Sequence, residues 1–491
     1  MSILGRIADS VSLLTGSSRM KRKHNKMVRA FFDAAKRSAN NQRRWAQADQ
    51  QGVKNPYNDN GERKILMNRA RYVAANNPYA KGMVLSMAND VIGTGPKLQI
   101  INEDQTRATR IEKAWRIWSK KVKLARKLRA MRAGETVDGE AFGVISKNPK
   151  IDFPIQLDLL LINPALVQSP DFTYDGNDLN TVDGIKYDEW GNPTSYSILT
   201  NSLGISPSNY KNINANDMVH VYRLDTCGQK RGVSELTPSL EIFNILRLYI
   251  LSVLDASQTA AALSGVAYTS GTPEEYDEMS QFFEWELERN QIMFLPEGWD
   301  FKQLIAEHPS ANFSEFVNTI VNLAARAILL PYNVAAGNSS EYNFASGRLD
   351  FQAYHTMIKI VRREYEELIL DRLFSEWYNV YLAREARQYN LDSIIEYQWF
   401  WDGFAEIDPL KSARAESEKL ENGTTTLAQL CAENGEDYQE VIAQRVKERA
   451  LKYELETKAG LPHETSKTTE QKESEETEEK QEENETAKQE A

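Results

Sequence analysis

Carboxylates on a helical stretch are the first residues whose chemistry the sequence suggests. The candidates are Asp255, Glu364, Glu366, Glu367 and Asp371. A few converging carboxylates would hold the divalent ions that a two-metal nuclease uses. Arg362, Arg363 and Arg372 alternate with the later acids, however, and this alternation is typical of a solvated or ion-paired helix face. We favour the ion-paired face and keep a metal-dependent nucleic-acid enzyme as an alternative.

Histidine and cysteine are too sparse for a recognisable metal site. The two cysteines, Cys227 and Cys431, are far apart, and no Cys pair or His/Cys cluster has a metal-ligand spacing. None of the five histidines stands beside a motif that would make it a ligand or a base. They are His24, His220, His308, His355 and His463. We interpret them as structural or solvated, and we predict no cofactor, metal or catalytic residue.

The turn Gly93 to Lys97, GTGPK, resembles a phosphate-binding loop only in part. It lacks the full GxxxxGK[ST] spacing, and Pro96 removes one of the backbone amides that would bind a phosphate. We therefore expect no nucleotide site at this turn.

Charge is distributed unevenly along the chain. The 491 residues include 70 acidic and 59 basic side chains, so the net charge is −11. Residues 20–44 are nonetheless strongly basic, and Lys21, Arg22, Lys23 and Lys26 lie at the start of this arm. Two interpretations of the arm stay open: a solvated segment, or a contact with nucleic acid or an acidic partner.

Two further segments stand out by composition. Residues 462–491 contain no aromatic side chain and almost no apolar one, which predicts a disordered acidic tail. Residues 105–133 are predicted to be helical and basic, with Trp115 and Trp118 three residues apart. Tryptophans at this spacing share one helix face, and we favour a place in the core over a platform for stacking bases.

The elements that position these residues follow from hydrophobic periodicity and turn residues. Two helices are predicted between Glu62 and Gly93, with a break at the Asn-Asn-Pro-Tyr stretch. Short β-prone runs between Ala141 and Tyr222 predict strands, with a hairpin turn from Asp188 to Pro193. Three long helices follow, at 238–263, 313–330 and 345–387, and Pro331 should end the second. The expected fold class is α+β, mainly helical.

No segment predicts export or membrane insertion. The N-terminal apolar stretch is short and contains Asp9, so we see no secretory signal. The most apolar window, Ile242 to Leu254, contains Asn244 and Arg247 and is too short to span a bilayer.

The stretch Pro331 to Leu349, PYNVAAGNSSEYNFASGRL, separates two long predicted helices with small and polar residues. Such a composition predicts a mobile loop. From residue types alone a plain helix connector is the favoured interpretation.

The order of several motifs resembles the lambda-type portal proteins of tailed bacteriophages, over roughly residues 60 to 460. The motifs include a helix pair closing on Gly-x-Gly, a Gly-Glu-aromatic strand, a Gly-Ile-x-x-Asp hairpin, and a C-terminal helical segment. The most specific is Gly-Gln-x-Arg-Gly-Val-Ser just before a long helix, here Gly228, Gln229, Arg231 and Gly232 with the residues that follow. The sequences are NRARYVAANNPYAKGMVLSMANDVIGTG, VDGEAFGVI, LDLLLINPALVQSP, GIKYDEWGNPTSYSI, MVHVYRLDTCGQKRGVSELTPSL and residues 407–461.

The resemblance implies a portal fold with wing, stem, clip and crown regions. Its order along the chain would be an N-terminal arm 1–59, wing 60–235, stem helix 236–264, clip 265–308, stem helix 309–330, tunnel loop 331–345, long helix and wing return 346–407, crown 408–460 and the acidic tail 461–491. The DNA-channel residues would be Gly337, Asn338, Ser339, Ser340, Glu341, Tyr342 and Asn343.

The resemblance also implies the function and the partners. A ring of about twelve subunits at one capsid vertex would pass double-stranded DNA, without enzymatic activity of its own. Its partners would be terminase, the major capsid or scaffold protein, and a head-completion or neck protein, with no membrane. The site of action would be the virion, after assembly in the host cytoplasm.

The composition of the predicted loop agrees with such a conduit. Each Lys or Arg bound to a phosphate adds affinity, and the stretch 331–347 contains none, with Glu341 as its single acid. A tight phosphate contact would act as a brake on moving DNA. An oligomeric scaffold or adaptor without a channel is kept as a further alternative.

Overall fold

The computed structural model describes residues 58–101, 105–169, 180–200, 210–262, 266–269, 299–302, 313–340, 343–385, 395–404, 409–433, 435 and 438–459. The basic arm 20–44, the acidic tail 461–491, and the pair Glu341 and Tyr342 lie outside the described residues. The described residues form mainly helices with small antiparallel sheets, which confirms the predicted α+β fold class. In this described part, no helix has the length and apolar character needed to cross a membrane.

Helices α1 (Asn60–Asn76) and α2 (Pro78–Ile92) form the predicted pair. The Asp59 side chain accepts a hydrogen bond from the Glu62 amide and so caps α1. Asn77 ends α1 and also caps α2 by accepting from the Ala80 amide, and Pro78 follows at the first helical position. The break between the helices is therefore determined by neighbouring residues, Asn77 and Pro78, and could be predicted from the sequence.

The predicted helical stretch 105–133 is in fact two helices. After strand β1 (Lys97–Ile100), α3 runs over Gln105–Lys121 and α4 over Leu124–Asp138. Lys123 has a left-handed backbone with φ 56°, and this residue reverses the chain between the helices. The sequence analysis did not predict this turn, because helix-forming residues continue through it and no Gly or Pro marks it.

The two tryptophans of α3 lie in the core, as predicted. Trp115 is 2% exposed and Trp118 is fully buried. Their ring centroids are 4.7 Å apart, and Trp115 meets Trp377 edge-on at 5.3 Å. Aromatic rings in tilted and edge-on contact add to the stability that their buried area provides. This cluster joins α3 to the later helix that carries Trp377.

The predicted strand-rich region forms two antiparallel sheets. The strands are β2 (Glu140–Lys147), β3 (Leu157–Ile162), β4 (Thr181–Val182), β5 (Ile185–Tyr187), β6 (Pro193–Leu199), β7 (Tyr210–Asn214) and β8 (Met218–Tyr222). One sheet has the order β3-β2-β8 and the other β4-β5-β6-β7. The predicted hairpin turn joins β5 to β6, and the Asp188 carboxylate closes it by accepting from the amides of Trp190 and Asn192.

Helix α5 (Leu240–Ala262) matches the first long helix predicted. Beyond it, β9 (Val266–Thr269) pairs with β10 (Trp299–Lys302) in an antiparallel ladder. Helix α6 (Phe313–Arg326) ends earlier than the prediction of Leu330. The chain leaves the helix through a turn in which Leu329 has φ 58°, so Pro331 does not end α6 but caps the short helix α7 (Tyr332–Ala336).

The third long helix is continuous but changes its pitch. α8 (Phe344–Tyr365) passes through a π-helical turn, Glu366–Leu370, into α9 (Asp371–Glu385). At the wider turn the neighbouring residues Ile369 and Leu370 are fully buried, whereas Leu368 is 40% exposed. Strand β11 (Tyr397–Phe400) then pairs with β1, and α10 (Pro409–Glu421), α11 (Leu427–Glu433) and α12 (Tyr438–Ala459) follow.

Candidate functional site

The segment between α7 and α8, residues 337–343, is the candidate contact surface from the sequence, and we call it the α7–α8 loop. Gly337, Asn338, Ser339 and Ser340 are all exposed. Gly337 has φ 64° and ends α7, a conformation that favours glycine. The Asn338 side chain accepts from the Ser340 amide at 3.0 Å, so the exposed turn is locally ordered by its own polar groups.

Both ends of the loop are anchored. On one side, α7 packs on α2 and α6, with Asn333 and Ala335 buried. On the other, the Asn343 side chain caps α8 by accepting from the Ser346 amide at 2.8 Å. The predicted loop over 331–345 is therefore too long, because residues 332–336 are helical and α8 begins at Phe344. One helical turn of small residues leaves little periodicity to detect, and its packing partner α2 is remote in sequence.

Helix α5 presents large apolar side chains to the surface of the described chain. Its inner side packs through Phe243 and Leu246, both at most 1% exposed. Four outward side chains are 46–57% exposed and recur every three residues: Ile245, Leu248, Leu251 and Leu254. A helix with an apolar face on both sides buries one of them against something beyond its own fold.

The Gly-Gln-x-Arg-Gly motif forms a tightly bonded turn between β8 and α5. The Gln229 amide oxygen accepts from the backbone amides of Asp225 and Thr226, and its NH₂ donates to the carbonyl oxygens of Arg223 and Arg231. Gln229 is 4% exposed, so its amide is fully used in folding the turn.

Arg231 leads from that turn into a buried ion-pair group, which we call the Glu140 cluster: Arg63, Glu140, Asp183, His220 and Arg231. Glu140 Oε1 lies 2.7 Å from Arg63 Nη1 and 2.6 Å from Arg231 Nη2. Its Oε2 lies 3.1 Å from His220 Nε2. Asp183 pairs with both arginines. The cluster ties α1, β2, the β4–β5 turn, β8 and the motif turn to one point.

The charges of the Glu140 cluster balance. Burial alone would raise the pKa of Glu140, but the positive charges of Arg231 and Arg63 outweigh burial and hold the pKa well below its usual range. Burial lowers the pKa of His220, although the hydrogen bond to Glu140 opposes this. With His220 neutral, two arginines face two carboxylates. Such pairing is what permits charges in a dry interior.

A second buried group surrounds Arg132 on α4. Its guanidinium pairs with Glu235 through two bonds of 2.8 and 3.0 Å and with Glu135 at 2.8 Å. The Tyr365 hydroxyl donates to Glu135 at 3.0 Å. Burial and the neighbouring Glu235 raise the pKa of Glu135, whereas Arg132 holds the pKa of Glu235 below its usual value against the effect of burial. This group fixes the end of α8 to the segment that enters α5.

The Gly93-Thr-Gly turn is filled by an acid of the protein itself. The Thr94 hydroxyl donates to Asp402 Oδ1 at 2.7 Å, and the Thr94 amide donates to Oδ2. A Cβ on Gly93 would lie 2.2 Å from the same carboxylate. The Thr94 amide and hydroxyl, which could otherwise contact a phosphate, therefore already bind the Asp402 carboxylate.

Three of the candidate carboxylates of the long helix, Glu366, Glu367 and Asp371, are ion-paired or hydrogen-bonded. Arg363 Nη1 lies 3.1 Å from Glu366, and its Nε lies 2.8 Å from Glu367. Asp371 accepts from the indole of Trp399 at 2.9 Å. Among the described residues, no group of three or more His, Cys, Asp and Glu side chains is placed to hold a metal ion.

Sequence reasoning did not predict that the members of the buried clusters meet. Arg63, Glu140 and Asp183 come from three separate elements. The resemblance singled out Arg231 and included Glu140 in the Gly-Glu-aromatic strand, and His220 was interpreted as structural or solvated. The available signal was a Glu beginning an otherwise apolar strand, which needs a buried cation as a partner.

The sequence matches the family model described as "Phage portal protein, lambda family" over residues 39–362. This match spans more than half of the chain, so the chain belongs to the lambda family of phage portal proteins, a family of structural proteins. The C-terminal segment from 407 that resembled the family lies beyond the matched residues.

Two solved structures that are similar to part of this chain were also found. One is titled "Neck of native GTA particle computed with C12 symmetry", with 16% identity, a TM-score of 0.41, and coverage of 78% of this chain and 94% of that chain. A second is titled "Virion of native gene transfer agent (GTA) particle", with 17% identity, a TM-score of 0.40, and coverage of 79% and 94%.

Proposed function

We propose that this protein forms a closed ring of about twelve identical subunits at a single capsid vertex. Duplex DNA would pass through the ring during packaging and leave through it during ejection. Terminase would dock on the ring during packaging, a head-completion or neck protein would replace it, and the major capsid or scaffold protein would surround it. The ring would assemble in the host cytoplasm and remain in the virion.

Family membership supports this function, and the α7–α8 loop is the structural observation that carries it. The loop exposes Gly337 through Ser340 between the partly buried helix α7 and the capped helix α8, so both of its ends are fixed. Its hydroxyl and amide groups offer weak, uniform contacts to a passing duplex. With no cation in the loop, no phosphate is held tightly enough to stop the duplex.

The regions of the portal architecture are assigned as proposals. The wing would comprise 60–235 together with 346–407, and the stem would comprise the helices within 236–264 and 309–330. The clip would be 265–308, which includes the β9–β10 ladder. The crown would be 408–460. The N-terminal arm 1–59 would contact DNA or an acidic capsid surface through its basic stretch 20–44, which begins with Lys21, Arg22, Lys23 and Lys26.

The exposed apolar face of α5 would provide the contact between neighbouring subunits. A head-to-tail ring joins two different surfaces of each copy, and an outward row of leucine and isoleucine side chains suits one of them. Burying these side chains would remove apolar area from water at roughly 25 cal/mol per Å². The same surface would be costly in an isolated subunit, which explains why the row requires a partner.

Ring formation is tested by native mass spectrometry of the purified full-length protein. A closed homo-oligomer of large size supports the proposal, and the double change Leu248→Glu with Leu251→Glu should release smaller species. Leu160→Glu is the matched control, because Leu160 is 54% exposed on a different element. A monomer or dimer with metal-dependent DNA cleavage would instead favour the nucleic-acid enzyme, and an open oligomer would favour the scaffold.

The channel role of the loop is tested by Glu341→Lys. A cation on every subunit would bind passing phosphates, and attraction of about 1 kcal/mol per exposed pair would multiply over the ring into a barrier of several kcal/mol. Procapsids should still form, whereas DNA packaging or retention should change. Glu189→Lys, on the exposed turn between β5 and β6, makes the same charge change away from the loop. Loss of ring formation in Glu341→Lys alone would contradict the tunnel assignment.

A further inference from the structure

We infer that α3 and the start of α4 carry a second DNA-binding surface, which contacts the phosphate backbone of duplex DNA outside the channel. We call it the basic stripe. Its members are exposed Lys and Arg side chains: Arg110, Lys113, Arg116, Lys120, Lys121, Lys123 and Arg126. In the segment 105–130 the only acidic residue is Glu112, and its carboxylate accepts from the Ile100 amide.

The stripe is a continuous face of the helix. Arg110, Lys113, Arg116 and Lys120 recur at intervals of three and four residues, which places them on one side. The side opposite is buried through Ala108, Ile111, Trp115 and Trp118, which recur with the same period. The cations therefore point away from the core of the subunit.

Most of these cations make no ion pair within the described part of the chain. The structure shows an ion pair for Lys121, to Asp152 at 3.7 Å, between two exposed side chains. It shows none there for five others: Arg110, Lys113, Lys120, Lys123 and Arg126. This differs from the long helix, where Arg363 pairs with its own neighbouring glutamates. Unneutralised cations in a row create a local positive field on a protein whose net charge is −11.

The composition of the stripe favours duplex DNA over a protein partner. Protein interfaces are enriched in aromatic and apolar anchors and depleted in lysine. The exposed face of α3 is rich in lysine, and its exposed large apolar side chain is Ile117. Phosphate contacts, in contrast, use Lys and Arg without further requirements.

The tryptophans of α3 are not placed to bind unpaired bases. Proteins that bind single-stranded DNA combine a positively charged groove with aromatic side chains on which the bases stack. Trp115 and Trp118 lie in the core and offer no such platform. The stripe would thus read neither sequence nor bases, and it would bind the regular row of phosphates.

The dimensions agree with this ligand. Arg110 and Lys120 are separated by about 15 Å along the helix axis, at ~1.5 Å per residue. A duplex carries one negative charge per ~1.7 Å of its axis, so about nine phosphate charges lie alongside such a length. Several of them can be met at once by side chains as long as Lys and Arg.

This surface goes beyond the proposed channel, because the α7–α8 loop requires weak contact and the stripe provides the reverse. A portal that passes DNA along one surface without cations would hold packaged or incoming DNA at another surface that is rich in them. The basic stripe lies on each subunit, so the inference does not depend on ring formation.

The test is equilibrium binding of a fluorescent 20-base-pair duplex of arbitrary sequence, as about two turns of B-DNA, to the full-length protein over a range of salt. The stripe variant combines Arg110→Gln, Lys113→Gln and Lys120→Gln. We expect its affinity at low salt to fall roughly tenfold or more, and the slope of log affinity against log salt to fall by about one per lost phosphate contact. The matched control combines Arg445→Gln, Lys447→Gln and Arg449→Gln, three exposed cations on α12, and should bind as the unchanged protein does.

Two results would overturn the inference. One is an equal loss of affinity in the stripe and control variants. The other is a peptide of residues 462–491 that binds the protein through the stripe while the duplex does not, which would identify an acidic segment as the ligand.

A measurement without substitutions guards against misfolding of the variant. Lysine-reactive labelling of the unchanged protein should show protection of Lys113, Lys120 and Lys123 when duplex is added, and no protection of Lys447. Equal labelling of all four with and without duplex would contradict the inference. Native mass spectrometry of the same sample reports ring formation separately, so failure of the channel proposal and failure of the stripe are distinguishable.

Discussion

Arg231 and Glu140 form a bidentate ion pair that is fully buried. Arg231 Nη2 lies 2.6 Å from Glu140 Oε1, Arg231 Nε lies 2.9 Å from Oε2, and both side chains are 0% exposed. The pair joins the motif turn before α5 to the first residue of β2. Because Arg63 of α1 binds the same carboxylate, the orientation of α5 depends on a contact made by three separate parts of the chain.

Replacing Arg231 by Met should destabilise the protein severely. Removing one member of a buried pair leaves the other charge without compensation, which costs about 3–5 kcal/mol. Arg223→Met is the control, because Arg223 pairs with Asp225 while 40% exposed and such pairs contribute about 0–1 kcal/mol. Urea unfolding monitored by tryptophan fluorescence measures both. Similar midpoints for the two variants would show that the Glu140 cluster does not support the fold.

His220 and Glu140 should each contribute a loss of stability as the pH is lowered from 7, in two separate stages. His220 has a pKa lowered by burial, so the unfolded chain binds a proton first below about pH 6.5. Glu140 has a pKa held below its usual range by Arg231 and Arg63 against the effect of burial, so its contribution is lost as the pH falls below about 4.3. His220→Gln should remove the first stage and keep the second. Thermal melting from pH 7 to 3.5 shows this, and identical profiles would contradict it.

The two glycines of the motif should respond differently to alanine. A Cβ on Gly232 would lie 2.0 Å from the Gly139 carbonyl oxygen, which is backbone and cannot move aside. Gly228 has φ 77° but open space around it, so its cost is only the left-handed strain of about 1–2 kcal/mol. We expect Gly232→Ala to lower the melting temperature more than Gly228→Ala. The reverse order would show that backbone conformation dominates this turn.

Local signals explain which parts of the fold were predictable. Asp59, Asn77 and Pro78 cap and punctuate α1 and α2 within a few residues, so the helix pair was visible in the sequence. The turn at Lys123 was not predicted, because it contains no Gly or Pro. Helix α7 was not predicted either, because it is stabilised by packing on α2, which is remote in the sequence.

The buried ion-pair clusters could not be predicted from local sequence signals either, because their members are remote from one another in the sequence. Glu140 becomes meaningful only when Arg63 and Arg231 are brought to it by the fold. The composition of the α7–α8 loop was visible in the sequence, whereas its firm anchoring by Asn333 and Asn343 was not.

Deleting residues 462–491 should leave ring assembly intact. Their composition offers almost no apolar area to offset the entropy of ordering. Native mass spectrometry of the truncated protein measures the outcome, with the full-length chain as the reference. Loss of the closed oligomer on truncation would assign the tail a part in the subunit contact.

The helix that runs from α8 through the π-helical turn into α9 is pinned at two points by guanidinium groups. Arg362 donates to the carbonyl oxygens of Asp90, Val91 and Asp402. Arg372 donates to those of Ala215, Asn216 and Met218. All six acceptors are main-chain carbonyl oxygens, so the position of this long helix against α2 and β8 depends on the backbone of its neighbours and not on the identity of their side chains.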